Sequence, residues 1–131
     1  MIQATDLRVG NLVLSNNPLH RKDWLGKVLS ILEIKDESVS VVAIDELPYA
    51  FTGGQFLKYI NPLPITEDIL LKCGFGVSVN GWHSCPLGKL EFGFKSEGVL
   101  ILMDWDLEIK YLHQLQNLYY ALTNKELTIN L

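Results

Sequence analysis

The last fifth of the chain, Leu107 to Leu131, limits most tightly what this sequence can fold into. It reads LEIKYLHQLQNLYYALTNKELTINL and contains the longest helical period in the sequence. The spacing predicts a helix over 107–122 with Asp106 as N-cap. With Leu115 at the centre of the buried face, Tyr111, Leu112, Leu118, Tyr119 and Leu122 gather around it. Burial of such side chains stabilises by roughly 1.5–3 kcal/mol each before ordering entropy is charged. The opposite face carries Lys110, His113, Asn117 and Tyr120, with Gln114 and Gln116 at its margins. Amides, an imidazole and a phenol stand where Glu and Lys are the usual solvated choices, and they suit hydrogen-bonded contact with a partner. Thr123-Asn124-Lys125 turns the chain. ELTINL then alternates as a strand with Leu127, Ile129 and Leu131 inward, and that strand must pair with an earlier one.

The preceding sequence divides into a strand-rich half and a mixed half. LRVGNLVL, 7–14, reads as a strand interrupted at Gly10-Asn11, and 15–23 as a loop. The runs 24–34 and 39–44 flank the polar turn Lys35-Asp36-Glu37-Ser38 and predict a hairpin. Pro48 and Gly53-Gly54 place 45–54 in a loop, and QFLKYINPLPI follows as a short strand. So many short strands predict a small SH3-like antiparallel β-barrel over 1–62. In PITEDILLKCGF, Thr66 is the natural N-cap, Glu67 and Asp68 face the positive end of the helix dipole, and Ile65 and Leu70 form a hydrophobic staple. Gly74 ends that helix, which spans Glu67–Cys73. Three strand-like runs follow: 77–85, 89–94 and 99–103. Asn80-Gly81 in the first is a bulge or a tight turn, and Pro86-Leu87-Gly88 and 95–98 read as turns. VLILM, the third run, belongs at the centre of its sheet. The fold class is α+β, with the barrel packed on an α-β-β-β-α-β unit over 63–131.

Composition excludes several classes. The 131 residues are 48% hydrophobic and 20% charged, enough for a real core. No apolar run approaches the roughly 18–20 residues needed to span a bilayer, and the polar N-terminus does not resemble a secretory signal. Two cysteines, Cys73 and Cys85, in such a chain point to free thiols and a cytoplasmic setting. The net charge of −4 disfavours nucleic acid as a partner. Residues 1–35 nevertheless hold five basic and three acidic side chains, so a basic patch, if any, lies there.

Candidate chemistry is sparse. His83 and Cys85 would share one face of a strand, which allows a nucleophile or a pair of metal ligands. No further ligands stand at recognisable spacing, so neither a metal nor a cofactor is called. Asp104, Asp106 and Glu108 alternate like the start of a calcium loop, but Ile109 and Leu115 occupy the positions where glycine and a bidentate glutamate belong. Helix capping explains those acids better. No phosphate-loop, dinucleotide, hydrolase-elbow or zincin motif occurs. Arg8, Arg21, Lys22 and Lys27, with Trp24 among them, form the candidate nucleic-acid contact.

Three blocks, LRVGNLV, PLPITEDILLKCGF and IKYLHQLQNLYYALTNKEL, resemble a family of small uncharacterised proteins encoded in bacterial prophages and mobile elements. The resemblance implies a phage-associated origin and a cytoplasmic setting, and it carries no activity with it. The leading expectation is a non-enzymatic binding or adaptor protein that meets a protein partner through Lys110, His113, Gln114, Asn117 and Tyr120. A nucleic-acid module built on the basic N-terminal residues is the first alternative. An enzyme using His83 and Cys85 is the second. The sequence is silent on oligomeric state.

Overall fold

The computed structural model describes residues 2–16, 27–44, 52–86, 90–102 and 107–131, and for 52–56 the backbone alone. The chain divides into two compact units, Met1–Leu63 and Pro64–Leu131. Both are built on antiparallel sheets, and the fold class is α+β.

The first unit begins with a 3-10 turn, Ala4–Asp6, closed by the Gln3 N–H donating to Asp6 Oδ2 at 3.0 Å. Next comes a tight turn, Arg8 to Asn11. Gly10 takes the left-handed position at φ +93°, and the buried Asn11 accepts from the Arg8 N–H at 2.7 Å. The first strand therefore starts only after the glycine, as β1 (Leu12–Ser15). β2 (Val28–Ile34) and β3 (Ser38–Ala43) form the expected hairpin, with the Lys35 N–H donating to Ser38 O across its turn at 2.8 Å. β4 (Thr52–Phe56) incorporates Gly53 and Gly54, which the sequence pattern assigns to a loop; Gly53 pairs with Val41 and Gly54 with Ser40. Residues 55–65 are not one strand either. A 3-10 turn, Leu57–Tyr59, separates β4 from β5 (Ile60–Pro62).

The sheet runs β4-β3-β2-β1-β5. It is open, where a closed barrel was expected. Closure requires the two end strands to meet edge to edge with a stagger. One of them, β5, has three residues and ends in Pro62, which has no N–H to donate, so it suits an edge. The apolar face gathers Val13, Leu29, Ile31, Val39, Val41, Ala43 and Ile60 into one cluster, joined by Ile2 and Leu7 from the N-terminal segment.

The second unit opens with α1 (Glu67–Lys72), and here every local signal operates. Thr66 Oγ1 accepts from the Ile69 N–H at 3.2 Å, Ile65 and Leu70 are both fully buried, and Gly74 turns left-handed at φ +82°. Asn80 and Gly81 both have positive φ (54° and 87°) and form a two-residue hairpin turn that bridges Val79 to Trp82. The sheet follows as β6 (Trp82–Ser84), β7 (Glu91–Ser96), β8 (Val99–Leu102) and β9 (Glu108–Ile109), in that spatial order. β8 is an inner strand that buries Leu100 and Leu102 and leaves Val99 and Ile101 half-buried. Leu87 and Gly88 of the expected turn, Met103, and the acids Asp104 and Asp106 lie outside the described residues, as do Trp24 to Gly26 and Pro48.

The C-terminal stretch departs from expectation at both ends. Its helix, α2, spans Leu112–Thr123, because Glu108 and Ile109 are taken by the sheet. Ile109 is buried and pairs with Leu100, while Glu108 turns outward. The tail is not a strand. Leu127 is buried and Ile129 half-buried, but Leu131 is exposed. The tail returns to α1, where the Asn130 N–H donates to Lys72 O at 2.9 Å and satisfies a carbonyl at the helix end.

Candidate functional site

The longest exposed helical surface among the described residues belongs to α2, and its local chemistry is unusual. The segment LHQLQNLYYALT contains no Asp, Glu, Lys or Arg. Its start is held by its own third residue: Gln114 Oε1 accepts from the backbone N–H groups of Lys110 (2.9 Å) and Tyr111 (3.2 Å). Its end is held by Asn124 in the left-handed conformation, whose N–H donates to Tyr120 O at 2.8 Å.

The buried side is Leu112, His113, Leu115, Gln116 and Tyr119. Relative to the sequence expectation, the helix is turned about its axis. The leucines Leu118 and Leu122 rotate outward, Leu122 to 45% exposure, while His113 and Gln116 rotate inward. Of the residues expected on the outer stripe, Lys110, Gln114 and Tyr120 are exposed and Asn117 is half-buried. His113 leaves the stripe: it is 4% exposed, and its ring stacks on Tyr111 with centroids 5.9 Å apart and planes 7° apart. The solvent face therefore reads Gln114, Asn117, Leu118, Tyr120, Ala121 and Leu122, a mixture of amides, a phenol and aliphatic carbon.

No protein-family model, no curated protein and no solved structure matches the chain.

His83 and Cys85 lie on and just after β6, and both are buried. The His83 Nδ1 is 2.8 Å from Gly76 O; a carbonyl only accepts, so Nδ1 carries the proton and donates. Its Nε2 lies 3.9 Å from Glu67 Oε1, and Phe94 meets the ring edge-on at 6.2 Å. The histidine thus ties the loop after α1 to the sheet. Burial pushes the Cys73 thiol up to about 12, so it keeps its proton at neutral pH and is a poor nucleophile. Among the described residues, no three His, Cys, Asp or Glu side chains converge as a metal site. Glu108, the described member of the acidic triplet, pairs with Lys95 Nζ at 2.9 Å.

The basic cluster is only partly visible. Arg21, Lys22 and Trp24 lie outside the described residues. Arg8 and Lys27 are half-buried and flank opposite ends of β1: the turn containing Arg8 precedes it, and Lys27 O accepts from the Ser15 N–H at its end. The strand keeps the two apart.

Sequence reasoning missed a cavity of about 480 Å3 in the first unit. Its walls come from three segments far apart in the chain, so no local motif marks it. The one available signal was the pair Ile2 and Leu7 around Asp6, which marks the N-terminus as an anchored segment.

Proposed function

We propose that this protein is a non-enzymatic binding or adaptor protein that docks another protein on the outer face of α2. The contact comprises Gln114, Asn117, Tyr120 and Leu122, with Lys110 at the helix start. The observation that carries this reading is a helix of 12 residues that exposes one side to solvent without a single charge. Solvated helix faces are dominated by Lys and Glu, whereas interface cores are depleted of charge and enriched in aromatic residues. At about 1.5 Å per residue and about 10 Å across, one face of this 12-residue helix covers on the order of 200 Å2, less than the roughly 800 Å2 per partner of a standard interface. The encounter is therefore transient or extends beyond the helix.

The setting we assign is cytoplasmic and phage-associated. It is supported by the three sequence blocks and by the free thiols. Among the described residues no helix is long and apolar enough to cross a membrane. The SH3-like reading of the first unit is supported by β1 lying between β2 and β5, with a 3-10 turn before the last strand.

The test is affinity capture from lysogen-bearing cells with nuclease treatment, using Tyr120→Ala and Lys110→Glu as controls. The expected result is a protein retained by the unaltered chain and lost, about tenfold or more, with Tyr120→Ala, as for a central aromatic contact. Retention indifferent to both substitutions, or capture that is seen only when the nuclease is omitted, would overturn the reading.

A further inference from the structure

The cavity belongs to the first unit and carries an inference that does not rest on α2. Its floor is apolar: Ile2, Ala4 and Leu57 open it directly onto the core, since Ile2 and Leu57 belong to the buried cluster and Ala4 packs against it. Its walls are fixed by hydrogen bonds that backbone N–H groups donate. The 3-10 turn at Ala4–Asp6 is closed by the Gln3–Asp6 bond at 3.0 Å. The Leu57 N–H donates to Glu37 O at 3.0 Å, tying the second 3-10 turn to the hairpin. The rim is charged. Asp36 and Glu37 are exposed at the hairpin turn, and among the described residues neither carboxylate makes an ion pair. The other rim charge, Lys58, sits with its ammonium 5.0 Å from the centroid of the Tyr59 ring. At about 480 Å3 the space falls within the size range of ligand pockets, roughly 300–1,000 Å3.

An apolar floor beside two carboxylates selects a particular kind of ligand. The floor takes an aliphatic or aromatic side chain, and the rim, with two carboxylates against the one ammonium of Lys58, is net negative and attracts positive charge next to it. An acidic segment would meet like charge from both carboxylates, and a purely polar cation would leave the floor wet. We infer that this groove is a peptide-binding site for a partner segment in which a large apolar side chain is followed by Arg or Lys. An adaptor built this way has two recognition surfaces, one on each unit: a charge-free helix face and a groove with a net negative rim.

The experiment uses the full 15N-labelled chain and three capped hexapeptides: Gly-Leu-Trp-Arg-Lys-Gly, its acidic counterpart with Glu-Glu in place of Arg-Lys, and Gly-Ser-Gly-Arg-Lys-Gly. The first peptide is expected to shift the amide signals of Ile2, Ala4, Glu37 and Leu57 saturably, and to bind at least about tenfold more tightly than the other two. Its affinity should fall as salt is raised. The double substitution Asp36→Lys with Glu37→Lys changes only exposed turn positions, so the fold should persist, as the unshifted core signals will report. It should reverse the preference between the basic and acidic peptides. Equal binding of all three peptides, shifts confined to other residues, or a preference that survives the charge reversal would overturn the proposal.

Discussion

The two helices of the second unit start side by side, yet they obey different rules. Pro64, just before α1, bridges Tyr111, just before α2, and the Ile65 N–H donates to Lys110 O at 3.0 Å. From that shared point α1 is specified locally: threonine cap, acidic first turn, apolar staple and terminal glycine all fall within ten residues of sequence. In α2 the start and rotation are set from outside. Ile109 is drawn into the sheet beside Leu100, the Pro64–Tyr111 bridge fixes the direction from which the chain arrives, and the first turn then places Leu112 and His113 inward together. A helix whose phase is set by its anchor need not bury its most apolar side.

Core truncation is the largest lever on this contrast. Leu70 in α1 and Leu115 in α2 are both fully buried, so Leu70→Ala and Leu115→Ala are each expected to cost about 2–5 kcal/mol in urea unfolding. Leu122, which the periodicity groups with Leu115, is 45% exposed, and Leu122→Ala should cost less than about 0.5 kcal/mol. If Leu122→Ala proved as damaging as Leu115→Ala, α2 would be turned the way its apolar pattern suggests. The account of its outer face would then fail.

The helix caps sharpen the comparison at a smaller scale. Thr66→Ala removes the side-chain acceptor for the Ile69 N–H and should cost about 1 kcal/mol. Gln114→Ala removes the acceptor for two backbone N–H groups, Lys110 and Tyr111. Both lie at the exposed start of the helix, where water replaces part of the loss, so about 1 kcal/mol is expected there too. Amide hydrogen exchange separates the two variants: protection should fall at residues 67–69 in the first and at 110–112 in the second. Fraying of α1 in the Gln114 variant would mean that both helix starts form one cooperative unit.

What the sequence made legible follows the same division. The hairpin at Lys35–Ser38 and α1 depend on neighbours a few residues away and formed within a residue of where the pattern put them; at Asn80-Gly81 the pattern allowed a bulge or a tight turn, and the turn formed. β4 through Gly53-Gly54 forms because Val41 and Ser40 of β3 claim it, β9 at Glu108–Ile109 because Ile101 and Leu100 of β8 do, and the irregular tail is tied to Lys72 of α1; each goes against local propensity. The candidate sites divide likewise. The charge-free helix is visible in LHQLQNLYYALT, but which of its polar side chains face water is not, because Leu112, Leu115 and Tyr119 fit either rotation. One flank of that arc is Leu118 and Leu122, the other His113 and Gln116, and only the tertiary anchor chooses between them. The groove in the first unit joins residues 2–4, 36–37 and 57–58, a meeting created by the hairpin and the second 3-10 turn.

The smallest expected effect tests the anchor itself. Glu108 reaches Lys95 from the strand that displaces the start of α2, and both side chains are largely solvent-accessible, at 42% and 58%. The hydrogen bond from Lys95, reinforced by its charge, holds the Glu108 carboxyl below its ordinary value of 4.5. A carboxylate whose pKa is lower folded than unfolded stabilises the fold above that ordinary value. The contribution is lost as pH falls through the folded pKa. Glu108→Gln should therefore lower the urea midpoint slightly at neutral pH and low salt, and the difference from the unaltered chain should disappear in acid below the folded pKa. It should also shrink at about 1 M salt, where the Debye length is about 3 Å. A deficit that persisted unchanged in acid and in high salt would mean that residue 108 acts through strand pairing with Ile101 and not through its charge, leaving the phase of α2 to the backbone alone.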